Sequence, residues 1–98
     1  MIVIDDRELR SGVREALTAI GVPHEVGHLD VADYIVDDVI YVERKTVPDF
    51  LESMQDLRLF DQVSRLRADK RRAVLVIEGT RLPGRPSVRG TLCAIAAQ

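Results

Sequence analysis

Short apolar runs rich in β-branched residues, separated by turn-forming and helix-starting residues, constrain this fold more than any other sequence feature. Such runs predict strands, and they lie at residues 2–5, 25–29, 34–36, 39–43 and 73–78. Apolar residues at helical spacing predict helices at residues 10–20, 48–54, 56–69 and 88–97. The order β-α-β-β-β-α-α-β-α predicts an α/β fold with one central mixed sheet flanked by helices.

Capping residues set the expected ends of the first two helices. Ser11 is the expected N-cap of the first helix, and Gly21 is the residue expected just past its C-terminus. Thr46 is the expected cap of the second helix. The strand at residues 73–78 is expected to be the most clearly buried one, because it is apolar over nearly its whole length.

Composition excludes a disordered tail and a membrane protein. Hydrophobic residues make up 46% of the 98-residue chain and charged residues 31%, and no apolar run approaches the roughly 18 residues of a spanning helix. The N-terminus lacks the leading positive charge of a signal peptide, and Cys93 alone cannot form an internal disulfide. We therefore expect an intracellular protein without membrane association, folded as a single domain over residues 1–98.

Charge is distributed unevenly along the chain. Residues 1–49 hold five Lys/Arg against eleven Asp/Glu, a net charge of −6, whereas residues 50–98 hold nine against five, a net charge of +4. An acid-rich site facing a basic surface suits a polyanionic substrate together with a metal cation. Short windows also produce such differences in net charge by chance, so the asymmetry alone does not decide between a functional site and chance.

Two acids are expected to meet across a hairpin. Asp37 and Asp38 predict the turn, since aspartate tolerates turn geometry. Counting outward from that turn, Asp33 and Glu43 become near neighbours on adjacent strands, with a one-residue stagger left for a bulge.

The chemistry of this arrangement points to phosphodiester hydrolysis. Glu43 and Lys45 share one face of their strand because side chains alternate, and Arg44 points to the other face. Two close carboxylates repel and raise at least one pKa, a conflict that a hard divalent cation such as Mg²⁺ resolves. Lys45 could then orient or deprotonate the attacking water or neutralise the transition state. Glu-x-Lys alone is common and also fits a solvated surface.

Longer motifs extend the pattern along the chain. Residues 43–49 read Glu-Arg-Lys-x-x-x-Asp, and residues 5–8 read Asp-x-Arg-Glu. Asp33-Tyr34 matches the end of a Gly-Asp-Tyr motif, with Ala32 in place of the glycine. These motifs resemble those of the nuclease domain of the XPF/Mus/Hef family of structure-specific DNA endonucleases, which has the restriction-endonuclease-like PD-(D/E)xK fold. Residues 53–66 and 74–79 also resemble the corresponding helix and strand of that domain, so the resemblance covers nearly the whole chain.

The resemblance implies a metal-dependent DNA endonuclease that cuts near flaps, forks or single-strand/duplex junctions, with Mg²⁺ or Mn²⁺ as cofactor. It implies that Asp33 and Glu43 hold the metal with the backbone carbonyl of Arg44, and that Lys45 is the catalytic lysine. Further active-site residues implied by the motifs are Asp5, Arg7, Arg44 and Asp49. An acid near a helix N-terminus is an alternative explanation of Asp49.

Two departures from the family pattern bear on these expectations. Ala32 does not easily adopt the positive φ open to glycine, so we expect the chain to enter the Asp33 strand differently. The family's domain usually continues with one more strand and helix, so residues 1–98 are expected to be a trimmed or minimal XPF-type nuclease domain. Because family nuclease domains pair through C-terminal helices, the apolar last helix predicts a homodimer or heterodimer.

Two other functional classes stay open on the sequence. A non-catalytic dimerising or DNA-binding scaffold of the same fold would normally lack the acids or the lysine, and all are present here. Another PD-(D/E)xK nuclease, such as a resolvase, is the second alternative, although Arg44, Asp49 and the first-strand motif favour the XPF type.

The remaining candidates are weaker. Pro23 and Gly27 argue against a helix that would align His24 and His28 as zinc ligands, and Cys93 is expected to pack rather than react. A cluster of basic residues has two possible explanations, contacts with phosphate or a solvent-exposed helix end. Its members are Arg65, Arg67, Lys70, Arg71 and Arg72. With only four aromatic residues, DNA is expected to be bound through its backbone rather than by base stacking.

Overall fold

The computed structural model describes residues 1–56, 58–67 and 71–79. Within them lie the strands β1 (Ile2–Asp5), β2 (His24–Gly27), β3 (Tyr34–Val36), β4 (Ile40–Thr46) and β5 (Arg72–Glu78) and the helices α1 (Val13–Ala19), α2 (Val47–Gln55) and α3 (Arg58–Arg67). The predicted element order is confirmed over these residues, and the predicted loop and helix after residue 79 lie outside them. No helix in the described ranges has both the length and the apolar character needed to span a membrane.

All described strands form one mixed sheet in the order β2-β1-β3-β4-β5. The pairs β1–β2 and β4–β5 are parallel, whereas β1–β3 and β3–β4 are antiparallel. Helices α2 and α3 cover one face, where Phe50, Leu59 and Val63 form a buried cluster against Leu75 and Ile77 of β5. The predicted mixed sheet with flanking helices is confirmed.

The predicted hairpin turn is confirmed. Asp37 and Asp38 both have positive φ, 52° and 56°, and the Val39 N–H donates to the Val36 carbonyl at 3.0 Å. Two successive positive-φ residues form the turn geometry that matches strand twist. Because Val36 pairs with Ile40, Val39 is the extra residue, and the predicted one-residue stagger is taken up beside the turn.

The strand register brings the two acids of the hairpin together. The β3–β4 ladder ends with Tyr34 opposite Val42, so the next residues outward are Asp33 and Glu43. Ala32, which precedes them, has φ 73°, so the expectation that alanine would change the entry to this strand is wrong. The left-handed conformation costs about 1 kcal/mol, and burial of the Ala32 side chain against β4 and α3 offsets that cost.

The start of α1 differs from its prediction. The helix begins at Val13 rather than at residue 10, because Gly12 adopts φ 85° at the N-cap position. Ser11, the predicted N-cap, therefore lies one position before the observed N-cap, although its Oγ still accepts a hydrogen bond from the Val13 N–H at 3.3 Å. Gly21 follows the helix with φ 74°, as predicted.

The prediction that β5 is the most clearly buried strand is wrong. Its residues alternate between half-buried and exposed, and Val74 and Val76 are 38% and 42% exposed. The reason is its position at the edge of the described sheet, where α2 and α3 cover only the face that carries Leu75 and Ile77.

Strand β4 continues directly into α2. It ends at Thr46, three residues beyond the predicted end, so Lys45 lies within the strand. Thr46 Oγ1 accepts a hydrogen bond from the Asp49 N–H at 3.3 Å and caps α2, as predicted. The strand that carries Glu43 and Lys45 is thus fixed at its far end by the helix that follows.

We expect Ala32→Gly to change the free energy of unfolding by less than about 1 kcal/mol. Glycine relieves about 1 kcal/mol of left-handed strain but removes a buried methyl group worth about 0.8 kcal/mol. Ala32→Val is expected to cost more than about 2 kcal/mol, because a β-branched side chain is strained at this φ and overpacks a buried position.

Urea unfolding followed by circular dichroism measures both variants. Ala16→Val, on the exposed surface of α1, is the matched control, and its expected cost is about 0.5 kcal/mol from helix propensity. A loss above about 2 kcal/mol in Ala32→Gly would contradict the left-handed backbone at this position.

Candidate active site

A cavity of about 280 Å³ lies beside the end of the β3–β4 ladder, between the sheet and α3. Its charged and amide-bearing lining residues are Asp5, Arg7, Asp30, Asp33, Glu43, Gln62 and Arg65. Asp5, Arg7, Asp33 and Glu43, all predicted from the sequence as site residues, thus lie around one cavity.

Asp33 is held by the main chain of the neighbouring strand. Its Oδ2 accepts a hydrogen bond from the Arg44 N–H at 2.8 Å. Burial raises the pKa of the Asp33 carboxyl, and the negative charges of Glu8 and Asp5 raise it further, against the opposing effects of the Arg44 hydrogen bond and the Lys45 charge. The carboxylate is therefore oriented by the sheet but sits in an unfavourable environment for its charge.

Glu43 is the more strongly perturbed acid. Burial raises the pKa of its carboxyl to about 7, the negative charge of Asp33 adds to the shift, and the positive charge of Lys45 opposes it. The conflict between close carboxylates that the sequence predicts is present in the structure. Without a cation in the cavity, the neutral form of Glu43 is therefore more favourable than for an ordinary glutamate.

Lys45 lies next to the two acids but is fixed from the side of α2. Its Nζ is buried and donates to Ser53 Oγ at 3.1 Å, and Ser53 is itself 2% exposed. The Lys45 charge lowers the pKa of both Asp33 and Glu43. The predicted catalytic ammonium is thus near the acids, and Ser53, which the sequence marked only within a similar stretch, is its partner.

Asp5 and Arg7 form a hydrogen-bonded wall of the cavity. Asp5 Oδ2 accepts from Arg7 Nε at 2.7 Å and Asp5 Oδ1 from the Leu29 N–H at 2.9 Å, while Arg7 Nη2 donates to the Leu29 carbonyl at 2.7 Å. Burial acts to raise the pKa of Asp5, but these hydrogen bonds and the Arg7 charge outweigh it, so the pKa is lowered. Asp5 therefore stays ionised and holds Arg7 in place.

The structure does not bring the Arg44 and Asp49 side chains to the cavity. Arg44 points to the opposite face, as predicted from strand alternation, where its Nε donates to Glu78 Oε2 at 2.6 Å and its Nη1 lies 3.7 Å from Glu8 Oε2. Asp49 is exposed in the first turn of α2, which fits the alternative explanation of an acid near a helix N-terminus. Of Arg44, it is the main-chain N–H that bonds to a cavity acid, Asp33.

Two cavity residues come from α3. The Gln62 Oε1 is buried and has no hydrogen-bond partner among the described residues, and Arg65 is exposed at the cavity rim. The sequence included Gln62 only in a similar stretch and assigned Arg65 to a basic cluster with two explanations. Their common signal is helical spacing, since positions 62 and 65 lie on one side of α3.

The residues present fit a hard divalent cation. Asp33 and Glu43 supply carboxylate oxygens, the ligands that Mg²⁺ and Mn²⁺ prefer. Both carboxyl groups have raised pKa values because of burial and mutual repulsion, and a bound cation would reverse that effect.

A second group of candidate ligands fits less well. Asp5, Asp6 and His28 each offer an atom within 4.8 Å of the others, but both Asp5 oxygens already accept hydrogen bonds. His28 lies 3.4 Å from Asp6, whereas the His24 Nδ1 lies 2.8 Å from the Val22 carbonyl oxygen. The two histidines thus have different neighbours.

Family comparison identifies relatives over most of the chain. The model of the ERCC4 domain matches residues 4–98. The "3'-flap repair endonuclease Xpf" of Saccharolobus solfataricus is 45% identical over 78 residues, which are 80% of this chain and 34% of the relative. The "DNA repair endonuclease XPF" of Mus musculus is 39% identical over 77 residues, 79% of this chain and 8% of the relative.

Solved structures show the same fold. XPF from Aeropyrum pernix in complex with DNA superposes with a TM-score of 0.88 at 37% identity, over 96% of this chain and 50% of that one. A second structure of XPF from Aeropyrum pernix superposes with a TM-score of 0.85 at 40% identity, over 98% of this chain and 49% of that one. The chain thus spans about a third of the archaeal relative and about half of each solved chain.

We expect Glu43 to make stability fall as pH rises in metal-free buffer. Its folded-state pKa of about 7 exceeds the ordinary 4.5, so its contribution is fully present below about pH 4.5 and is lost as pH rises through about 7. Allowing for solvent in the cavity, the loss is on the order of 2 kcal/mol. Glu43→Gln is therefore expected to be more stable than the wild type near pH 8, by about that amount.

Urea unfolding in the presence of a chelator, at several pH values between about 4 and 8, measures this difference. Glu25→Gln, at an exposed position of β2, serves as control and is expected to show no such pH-dependent gain. An equal gain in Glu43→Gln at both ends of the pH range would rule out the raised pKa as its cause.

We expect Ser53→Ala to lower the free energy of unfolding by about 1–3 kcal/mol, because the buried Lys45 ammonium loses its hydrogen-bond acceptor. Ser64→Ala, on the exposed side of α3, is the matched control and is expected to stay within about 0.5 kcal/mol of the wild type. A double-mutant cycle with Lys45→Met measures the coupling between Ser53 and Lys45. A coupling energy near zero would contradict the proposed support of Lys45.

Proposed function

This chain belongs to the ERCC4 domain family of XPF-type nucleases, and we propose that it hydrolyses phosphodiesters of DNA near flaps, forks or single-strand/duplex junctions with the aid of Mg²⁺ or Mn²⁺. Three relatives support a DNA substrate. One relative is a 3'-flap repair endonuclease, another is a DNA repair endonuclease, and one solved relative is in complex with DNA. Action on DNA also agrees with the intracellular location expected from the sequence.

The main support for this proposal is the negative charge of the cavity wall. Among the described lining residues, the carboxylates of Asp5, Asp30, Asp33 and Glu43 outnumber the guanidinium groups of Arg7 and Arg65 by two. A wall of this sign repels phosphate unless a cation is present, and a divalent cation balances the excess when all four acids are ionised. The observation therefore favours metal-assisted chemistry on a polyanion over metal-free binding.

We assign the cation to Asp33 and Glu43, with the backbone carbonyl of Arg44 as a third ligand. Asp33 is oriented for this role by the hydrogen bond from the Arg44 N–H, and Glu43 follows one residue beyond the last ladder pair. When bound, the cation supplies Lewis-acid stabilisation of the phosphoryl group. Protonation of Glu43 near its pKa of about 7 competes with cation binding, so activity rises with pH through that range.

Lys45 and the two cavity arginines act on the substrate. Lys45 carries a positive charge beside the acids, and Ser53 holds its Nζ, so it orients the attacking water or stabilises the charge that develops on phosphate. Arg7 is fixed by Asp5 and presents its side chain to the cavity. Arg65, exposed at the rim, contacts a backbone phosphate.

Two further proposals concern supporting residues and a partner domain. Asp5, Arg44 and Asp49 act as supporting residues: Asp5 through Arg7, Arg44 through its main chain, and Asp49 through the start of α2. The chain pairs with a second nuclease domain, as a homodimer or heterodimer, through the apolar segment at residues 88–97. That segment lies outside the described residues, so the pairing rests on the sequence alone.

Cleavage of a labelled 3′-flap duplex by the full chain tests the function. In Mg²⁺ or Mn²⁺ we expect cutting near the junction, no cutting with excess chelator, and little cutting of a fully paired duplex. Asp33→Asn, Glu43→Gln and Lys45→Met are each expected to lower the cleavage rate by about 100-fold or more, because each removes a charge from the reacting centre.

Asp61→Asn, at an exposed position of α3, is the matched control and is expected to cut normally. Fluorescence anisotropy with the same DNA distinguishes the alternatives. Wild-type DNA binding without any cleavage would favour the non-catalytic scaffold. Equal cleavage of every duplex would favour a different nuclease of the same fold.

A further inference from the structure

Gln62, which lines the cavity, has an unusual polar group. Its Oε1 is buried and accepts no hydrogen bond from any described residue, and its side chain lines the same cavity as Asp33 and Glu43. Buried side-chain oxygens nearly always have a donor, and one without it is destabilising unless something else in the site supplies the hydrogen bond.

The position of Gln62 is fixed by the packing of α3. Leu59, Val63 and Leu66 of this helix are all buried, so the helix cannot rotate to place Gln62 in solvent without exposing them. Leu66, one turn further on, lines the cavity together with Gln62. Gln62 is therefore held beside the cavity by the core.

The described residues around the cavity do not supply the missing donor. Ionised Asp33 and Glu43 are acceptors only. Arg7 commits its Nε to Asp5 and its Nη2 to the Leu29 carbonyl, and Arg65, exposed at the rim, does not donate to Gln62 Oε1. A donor for Gln62 is therefore expected from something bound in the cavity, and a water molecule is the smallest group that provides an O–H.

We propose that Gln62 is a positioning residue whose Oε1 accepts a hydrogen bond from a water retained by the divalent cation at Asp33 and Glu43. The inference rests on the proposed function, since it needs that cation. Mg²⁺ and similar cations keep several waters when bound by only one or two carboxylates, and outer-shell acceptors orient those waters. A carboxamide accepts such a bond without adding a negative charge to a wall that already has an acidic excess.

Calorimetric titration of the full chain with Mn²⁺ tests this role without relying on cleavage. Gln62→Met keeps the length and helix propensity of the side chain but removes the acceptor, and we expect Mn²⁺ affinity to fall about tenfold. Gln62→Glu retains an acceptor oxygen and is expected to bind at least as well as the wild type. Gln55→Met, on the exposed surface of α2, is the matched control with unchanged affinity.

Thermal unfolding in chelator separates positioning from a structural role. Because Gln62→Met removes a buried oxygen that lacks a donor, we expect its melting temperature without metal to be equal to or above that of the wild type. Lower stability together with lower affinity would overturn the proposal, since the loss would then be structural. Equal Mn²⁺ affinity of Gln62→Met and the wild type would overturn it as well.

The wild-type titration distinguishes a failure of this inference from a failure of the proposed function. If the wild type binds Mn²⁺ and Glu43→Gln does not, the cation site is supported, and the comparison of Gln62→Met with Gln55→Met decides the role of Gln62. If the wild type binds no Mn²⁺, the cation site itself is overturned, and the role of Gln62 is overturned with it.

Discussion

The hydrogen bond from the Arg44 N–H to Asp33 Oδ2, 2.8 Å long, sets the geometry on which the rest of the candidate site depends. It forms where the β3–β4 ladder ends, and its donor lies between Glu43 and Lys45 in the chain. Because alternate residues of a strand share a face, this one bond places the Asp33 carboxylate relative to both side chains. A one-residue slip of β4 would present Arg44 to the cavity in place of Glu43 and Lys45.

The opposite face of the sheet resists such a slip. There the Arg44 guanidinium bonds to Glu78 of β5 and lies 3.7 Å from Glu8. The Tyr34 hydroxyl of β3 donates to Glu8 at 2.6 Å, and burial together with this bond raises the pKa of Tyr34 to about 12, so the hydroxyl remains a donor. These polar contacts link β3, β4 and β5 with the segment that follows β1 in one register. Partly buried ion pairs of this kind add little net stability, and selecting a unique register is a role that such groups are known to have.

Local sequence signals sufficed for the elements whose neighbours are near in the chain. The β-branched run of β1, the Asp37-Asp38 turn and the Thr46 cap depend on residues within a few positions, and each formed as predicted. The burial of β5 was not predicted correctly, because the exposure of Val76 depends on which strand occupies the edge of the described sheet. The left-handed conformation of Ala32 also escaped local reasoning, since packing against distant elements supports it.

In the candidate site, too, features set by local sequence were predictable, and features set by packing between distant elements were not. Glu43 and Lys45 share one short motif, so their common face follows from strand alternation, whereas Ser53 and Gln62 reach the site only through the packing of α2 and α3. The features that cost stability meet in this one region: raised carboxyl pKa values, an unpaired carboxamide oxygen and the strained Ala32. Strain of this kind persists only where the surrounding structure supports it. The packing of Ala32 against Tyr41 and Leu66, together with the buried cluster between α2, α3 and β5, provides that support. The coincidence of local costs with one acid-lined cavity is what a functional site predicts.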